Sequence, residues 1–247
     1  MMFDKKLIVK NKAKSVDNIR NSDFYQFIYS DLSERLEPID KTYQEVLVLG
    51  FSDYHILSIN DSYHLNYANP DQLGLIDKKS IDLILFPFGL HWLGEVQKFL
   101  VEIKSILKED GIFICNFPGS GTLHFLRNAL FLAEDLVNSV HFPHISPFIR
   151  FDDMTLLMQQ AGFAENIIDC ETIKLEYDSP ILLMKSLKNF GESNAIYNRT
   201  NYSITKLMYK SLENYNNDSF SDQVNLITLI SSPTKNSIKL KAEHFPK

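Results

Sequence analysis

At 247 residues, 45% hydrophobic and 12% aromatic, the chain can bury a sizeable core; this excludes a disordered protein and suits one large α/β domain with an appended subdomain. Its formal charge of −6 argues against generic nucleic-acid binding, which needs a basic face, so Lys5, Lys6, Lys10, Lys12, Lys14 and Arg20 read as the solvated face of a first helix. Glycine is scarce at 9 residues, about 4% against a usual ~7%, so few tight phosphate-cradling turns are available.

Along the chain, residues 15–37 carry Phe24, Phe27, Ile28 and Leu32 at helical spacing, and Pro38 closes the segment. Val46–Gly50 is a short apolar strand of the buried type. Weaker strand candidates follow at Ile56–Ile59 and Tyr63–Tyr67, then another buried strand at Ile81–Phe86. Val96, Phe99, Leu100, Ile103, Ile106 and Leu107 define an amphipathic helix, which Lys108-Glu109-Asp110-Gly111 should end with a left-handed glycine cap. Ile112–Cys115 is the next strand, and Thr122 to about Val140 a long helix. After a proline-containing loop, Asp152 should cap a helix that Gly162 stops. Ile167–Cys170, Thr172–Tyr177 and Val224–Ile230 are strand-like, with helices between them. The pattern predicts an α/β sheet.

The strand at Val46 ends in Gly50, as many cofactor-binding α/β proteins begin, yet Phe51, Ser52, Asp53 and Tyr54 replace the glycine-rich turn. Other candidates read more plainly as structure. His91 beside Trp92 reads as a buried histidine. His141 and His144 have metal-like spacing but lack acidic or thiol neighbours, so no metal site is assigned. Asn116 ends a strand where α/β sheets place ligands, and Gly119-Ser120-Gly121 reads as a turn capped by Ser120 or Thr122. No catalytic residue can be named from spacing.

Cys115 and Cys170 form no Cys-x-x-Cys pair and read as apolar fillers in a reducing compartment. The longest strongly apolar run, Leu83 to Leu93, has 11 residues, short of the ~18–20 that span a bilayer. With no signal-peptide core, and with Asp4 and Asp17 unsuited to a transit peptide, the expectation is a soluble cytoplasmic protein.

Leu83-Ile84-Leu85, Leu90-His91-Trp92 and Leu107-Lys108-Glu109-Asp110-Gly111, within residues 73–117, resemble the second half of a class I S-adenosylmethionine-dependent methyltransferase. The nearer branch holds the malonyl-carrier-protein methyltransferase of biotin synthesis and the mitochondrial complex I assembly factor of methyltransferase fold. Phe3-Asp4-Lys5-Lys6-Leu7, Asp23-Phe24, Pro143, Ser146-Pro147-Phe148, Ala161-Gly162-Phe163 and Gly191-Glu192-Ser193-Asn194-Ala195 extend the likeness to the assembly-factor group over nearly the whole chain. The resemblance implies a Rossmann-like sheet with S-adenosyl-L-methionine as cofactor. It assigns Gly50 to the amino-acid end of that cofactor, Asp61 to the ribose, Asn69 or Asp71 to the adenine, and Phe88 to the pocket lining.

It also implies one domain over 1–247: an N-terminal helical segment at 1–40, a sheet core at 41–177 and 222–232, a helical insertion at 178–221, and a loose tail at 233–247. Between Gly50 and Ile81 lie 30 residues, where two strands and three crossovers would need more than about 40, so the first crossover helix is expected to be missing. The implied activity is methyl transfer to a protein or carrier-linked substrate, with arginine hydroxylation also within the group. The implied partner is a complex I subunit or an acyl-carrier substrate, with peripheral membrane contact allowed. The altered turn keeps open the alternative of an inactive methyltransferase-fold binding module, or assembly chaperone, with a degenerate cofactor site.

Overall fold

The computed structural model describes residues 2–51, 64–137, 143–197, 204–215 and 219–241. Six strands form one sheet: β1 Glu45–Leu49, β2 His64–Ala68, β3 Ile81–Pro87, β4 Leu107–Pro118, β5 Glu165–Tyr177 and β6 Phe220–Ser232. Their order is β2-β1-β3-β4-β6-β5, with β6 antiparallel to both of its neighbours and the pairs among β1 to β4 parallel.

Strand side chains alternate between faces, and here both faces are dry. Leu47, Leu49, Ile84, Phe86, Phe113 and Cys115 join one core with α4 (Val96–Ile106) and α6 (Phe151–Ala161). Val46, Val48, Leu83, Leu85, Ile112 and Ile114 join another with Leu32 and Leu36 of α3 (Asp23–Leu36). Two faces needing cover is why Val46–Leu49 of β1 and Leu83–Phe86 of β3 are apolar at every position. The remaining helices are α1 Lys5–Lys14, α2 Val16–Arg20, α5 His124–Asp135, α7 Pro180–Asn189 and α8 Lys206–Glu213. Among the described residues no helix is long and apolar enough to cross a membrane.

Several local expectations are corrected. In α3 the buried stripe is Tyr25, Ile28, Leu32 and Leu36, while Phe27 is exposed. Helix α4 stops at Ile106, and β4 starts at once with Leu107, so Gly111 is a strand residue rather than a left-handed cap. Its lack of a side chain matters differently: a Cβ there would come within 3.0 Å of the Ile81 carbonyl oxygen, beside the irregular register between Ile81 and Leu83. Gly162 does cap α6 at φ 84°, but the residue before that helix is Arg150, and Asp152 lies in its first turn. The two strand stretches after Gly162 are one strand, β5. The chain beyond Pro233 is anchored through residue 241, since Leu240 bridges Ile39 and the Lys241 amide donates to the Pro38 carbonyl. Lys12, far from solvated, is buried.

The count from Gly50 to Ile81 is met with one described strand. β2 pairs with β1 from Glu45↔His64 to Leu49↔Ala68, and a 3-10 turn at Pro70–Leu75 leads back to β3. Ile56–Ile59 and the expected gap in the first crossover lie outside the described residues.

Candidate active site

The carboxyl ends of β1, β3 and β4 converge on Phe88, which follows β3. Its φ of 42° is in the left-handed region that a bulky residue rarely visits, a strain typical of residues held for function. Asn116 holds it there: the Phe88 amide donates both to the Asn116 carbonyl, at 3.0 Å, and to its Oδ1, at 3.1 Å. The Asn116 amide group, fully buried, donates in turn to the Ile28 carbonyl at 2.8 Å. Asn116 therefore ties α3, β4 and the turn after β3 into one unit and does not face a ligand.

Phe88 and Tyr25 wall two cavities. The smaller, about 30 Å³, also touches Gly50 and Phe51 at the end of β1. The larger, about 350 Å³, lies between α3, α5, α7 and the turn 90–92. That volume is within the usual range for small-molecule sites.

One buried carboxylate organises the floor of the larger cavity. Glu192 accepts from the Tyr25 hydroxyl at 2.7 Å, from Trp92 Nε1 at 3.1 Å and from His91 Nε2 at 3.0 Å, and it is ion-paired with Lys12 Nζ. Lys12 also donates to the Tyr25 hydroxyl at 3.2 Å. Burial alone would raise the Glu192 pKa, but Lys12 and His91 overcome it and hold the value at about 2. Burial dominates at His91 and lowers its pKa despite the Glu192 charge. The imidazole is thus neutral, and facing a carboxylate it must carry its proton on Nε2. Tyr25 is pushed well above the phenol range by burial and then by Glu192.

Local sequence explains why Glu192 reaches this point. Gly191 has φ 72°, and a Cβ on it would lie 2.9 Å from the Asn11 carbonyl oxygen, so only glycine lets α1 approach so closely. The Asp4 amide donates to the Ala195 carbonyl, and the Tyr197 amide to the Met2 carbonyl. The Gly-Glu-Ser-Asn-Ala segment therefore clamps the N-terminal helices over the cavity. The partners of Glu192 lie 100 to 180 positions away, and no sequence period signals such pairing.

The hub makes stability pH-dependent in two windows. Unfolded His91 takes its proton near pH 6.5 while the folded residue resists it, so stability falls as pH drops below that value. Glu192 contributes fully above about 4.5 and loses its contribution as pH falls towards 2. Urea midpoints measured from pH 8 to pH 3 should fall in both windows, and His91→Phe should flatten the upper one; an unchanged slope between pH 7 and 5.5 contradicts the assignment.

The residues assigned to the cofactor are distributed as follows. The Gly50 amide extends the β1–β2 ladder by donating to the Ala68 carbonyl at 3.1 Å. Asn69 caps the 3-10 turn in a reciprocal box with Gln72, its side chain accepting from the Asp71 amide at 3.1 Å. Asp71 is ion-paired with Lys5, both of them well exposed, and an exposed pair contributes at most about 1 kcal/mol and is readily exchanged. Phe51 packs on Phe86 with ring centroids 6.1 Å apart. Asp61 lies outside the described residues. Gly50 and Phe88 thus meet at one cavity, while Asn69 and Asp71 are engaged within the chain.

The turn at Gly119-Ser120-Gly121 proves structural. The α5 amino terminus is capped by Asp222 of β6, whose carboxylate accepts from the Phe125 amide at 3.4 Å and the Leu126 amide at 2.7 Å, so Ser120 and Thr122 are not its caps. The protein's own carboxylate thus occupies a helix amino terminus, a place that attracts anions. His141 lies outside the described residues, and His144 lies 3.2 Å from Glu134. Among the described residues no group of three His, Cys, Asp or Glu side chains is placed to hold a metal.

A Rossmann-like sheet ending in an antiparallel strand, with cavities at its carboxyl ends, is the class of fold seen in methyltransferases. The crystal structure of the YcgJ protein of Bacillus subtilis superposes with a TM-score of 0.51 at 12% identity, over 84% of this chain and 99% of that one, a likeness of fold alone. The methyltransferase domain family matches residues 21–115. A Rickettsia prowazekii protein with a provisional methyltransferase name is 49% identical over 164 residues, 66% of this chain and 72% of that protein. Human mitochondrial arginine-hydroxylase NDUFAF5 is 38% identical over 122 residues, 49% of this chain and 35% of that protein. The malonyl-[acyl-carrier protein] O-methyltransferase of Nitrosospira multiformis is 33% identical over 125 residues, 51% of this chain and 38% of that enzyme. The chain belongs to the class I S-adenosylmethionine-dependent methyltransferase family. The matches to these last two relatives span little more than a third of each relative's length.

Proposed function

We propose that this protein is a methyltransferase whose donor end lies at Gly50 and whose acceptor end is the 350 Å³ cavity, the two meeting at Phe88 and Tyr25. The observation that carries this reading is the shared wall: one strained phenylalanine borders both cavities, where in-line placement of donor and acceptor is the main catalytic requirement. S-adenosylmethionine, the family's methyl donor, supplies an electrophilic methyl group on a sulfonium; Gly50, Asn69, Asp71 and Phe88 are the described residues that would hold it. Phe88 and Tyr25 then orient the acceptor and keep water from the reacting centre.

The acceptor class we infer is a protein or carrier-linked group, as in the malonyl-carrier-protein methyltransferase, and the context is respiratory complex I assembly, where the assembly-factor group acts. The partner would be a complex I subunit or an acyl carrier, with peripheral membrane contact, and the working compartment cytoplasmic. We further treat residues 1–247 as a single domain divided at the boundaries given above.

A second reading is favoured by a specific observation: Phe51 packs on Phe86, and Asn69 and Asp71 are bound within the chain, as in a binding module that has dropped the cofactor. Calorimetry with S-adenosylmethionine separates the two. Saturable micromolar binding, lost in Asp61→Ala and weakened about tenfold by Asp71→Ala, supports the methyltransferase. Silence at millimolar ligand supports the binding module.

A further inference from the structure

Leu126 and Leu130, one turn apart on α5, and Leu183 and Leu187, one turn apart on α7, give the larger cavity two apolar rows. Towards β3 the rings of Phe24 and Tyr25 stand edge-on to Phe88, each with its centroid 5.6 Å away. Several polar groups of the wall are engaged within the chain. Thr122 Oγ1 accepts from the Asn225 amide at 3.0 Å, the Tyr177 hydroxyl donates to Ser186 Oγ at 2.8 Å, and Asn194 donates to the Pro143 carbonyl at 2.8 Å. His91 Nδ1, His144 Nε2 and Ser146 Oγ have no partner, but they are closed to solvent and offer nothing to a molecule in the cavity.

The charges of the wall are matched as well. Glu192 is neutralised by Lys12 and already accepts from Tyr25, His91 and Trp92. His144 lies against the Glu134 carboxylate, and Lys188, which also borders the cavity, is solvent-exposed. A charged group carried in among the leucines would therefore lose its water without gaining a counter-ion there, which is strongly disfavoured. The volume sets the size of what can enter. A cavity of about 150 Å³ holds benzene, so one of about 350 Å³ holds roughly a dozen non-hydrogen atoms.

We propose that the cavity binds a straight, uncharged alkyl chain of about ten to twelve carbons, free or carried as an acyl group, between the leucine rows of α5 and α7. Read as the acceptor side, as proposed above, the cavity holds by this chain the part of the acceptor that anchors it. That assignment rests on the methyltransferase reading; the binding of the chain does not, and it needs no methyl donor.

Calorimetry on the full chain without S-adenosylmethionine tests this with hexan-1-ol, octan-1-ol, decan-1-ol and decanedioate. Affinity for the alcohols should rise about three- to fourfold for each added methylene. Decanedioate, which must bring a carboxylate to the leucines whichever way it enters, should bind at least about a hundredfold more weakly than decan-1-ol. Trp92, the single tryptophan of the chain, lines the cavity and reports where the chain lies. Its emission should be quenched saturably by 10-bromodecan-1-ol, whose bromine acts at short range, and decan-1-ol should compete. Leu187 is half-buried, so Leu187→Trp can enlarge one row; it should weaken decan-1-ol about tenfold. If that variant fails to fold, the quenching of wild type decides. Decanoyl-pantetheine binding more tightly than decan-1-ol would assign the chain to a carrier thioester, and binding no tighter would assign it to a free lipid. No saturable binding, equal affinity from hexan-1-ol to decan-1-ol, decanedioate as tight as decan-1-ol, unquenched Trp92 or a folded Leu187→Trp with unchanged affinity overturns the proposal. Decan-1-ol binding with silence towards S-adenosylmethionine would sink the methyltransferase reading and keep this one; the opposite pair of results would do the reverse.

Discussion

Glu192→Ala is expected to lower stability by about 3–5 kcal/mol, because it leaves the Lys12 ammonium buried without its counter-ion and removes the acceptor of Tyr25, His91 and Trp92. In a chain of this size each kcal/mol moves the melting temperature by roughly 2–4 °C, so a fall of roughly 6–20 °C should be read by calorimetry. The cause is charge burial more than lost packing, and a double variant separates the two. Lys12→Met with Glu192→Leu removes both charges at similar volume and should recover the part of the loss owed to the stranded Lys12 ammonium, while the donors of Tyr25, His91 and Trp92 stay unpaired. If the double variant is as unstable as Glu192→Ala, the hub is a packing feature and the electrostatic account fails. The effect should extend to function, since the N-terminal helices that Glu192 fastens supply Phe24 and Tyr25 to the cavity wall.

Asn116→Leu carries the second large effect, about 2–4 kcal/mol of destabilisation. The side chain fits no apolar role: its Oδ1 shares the Phe88 amide and its Nδ2 satisfies the Ile28 carbonyl, with Asp31 Oδ2 a further 3.4 Å contact. Leucine would leave the Ile28 carbonyl without this buried partner and release part of the hold on the Phe88 backbone at φ 42°. Urea unfolding of the variant against wild type checks it. A midpoint within about 0.5 kcal/mol of wild type would show that the network is not what holds Phe88.

Much of the scaffold was legible in the residues. The apolar runs at Val46–Leu49 and Ile81–Phe86 gave buried strands, the three- and four-residue spacing from Val96 gave α4, and Gly162 gave the stop of α6. These signals are local: strand and helix periods, and the φ that glycine alone takes cheaply. The errors also have local causes. Lys108 to Gly111 has the composition of a cap, yet the sheet takes it into β4, where pairing with β3 outweighs propensity. Lys12 has the composition of a surface residue, and only a carboxylate 180 positions away makes its burial affordable.

The same division runs through the site. Gly50 and its missing glycine turn stood out in the sequence because backbone approach to a ligand is a local requirement. Gly191 and Glu192 were visible only as a resemblance. Their roles were decided when the fold brought α1, the turn after β3 and the end of α7 to one point, where a carboxylate could be stabilised only by an ammonium, an imidazole, an indole and a phenol together. The sequence by itself determined the buried strands at Val46 and Ile81, helix α4 and the family. The large cavity, the buried Glu192 hub and the strained Phe88 between two compartments were decided by tertiary structure, because burial and charge pairing depend on which distant residues meet.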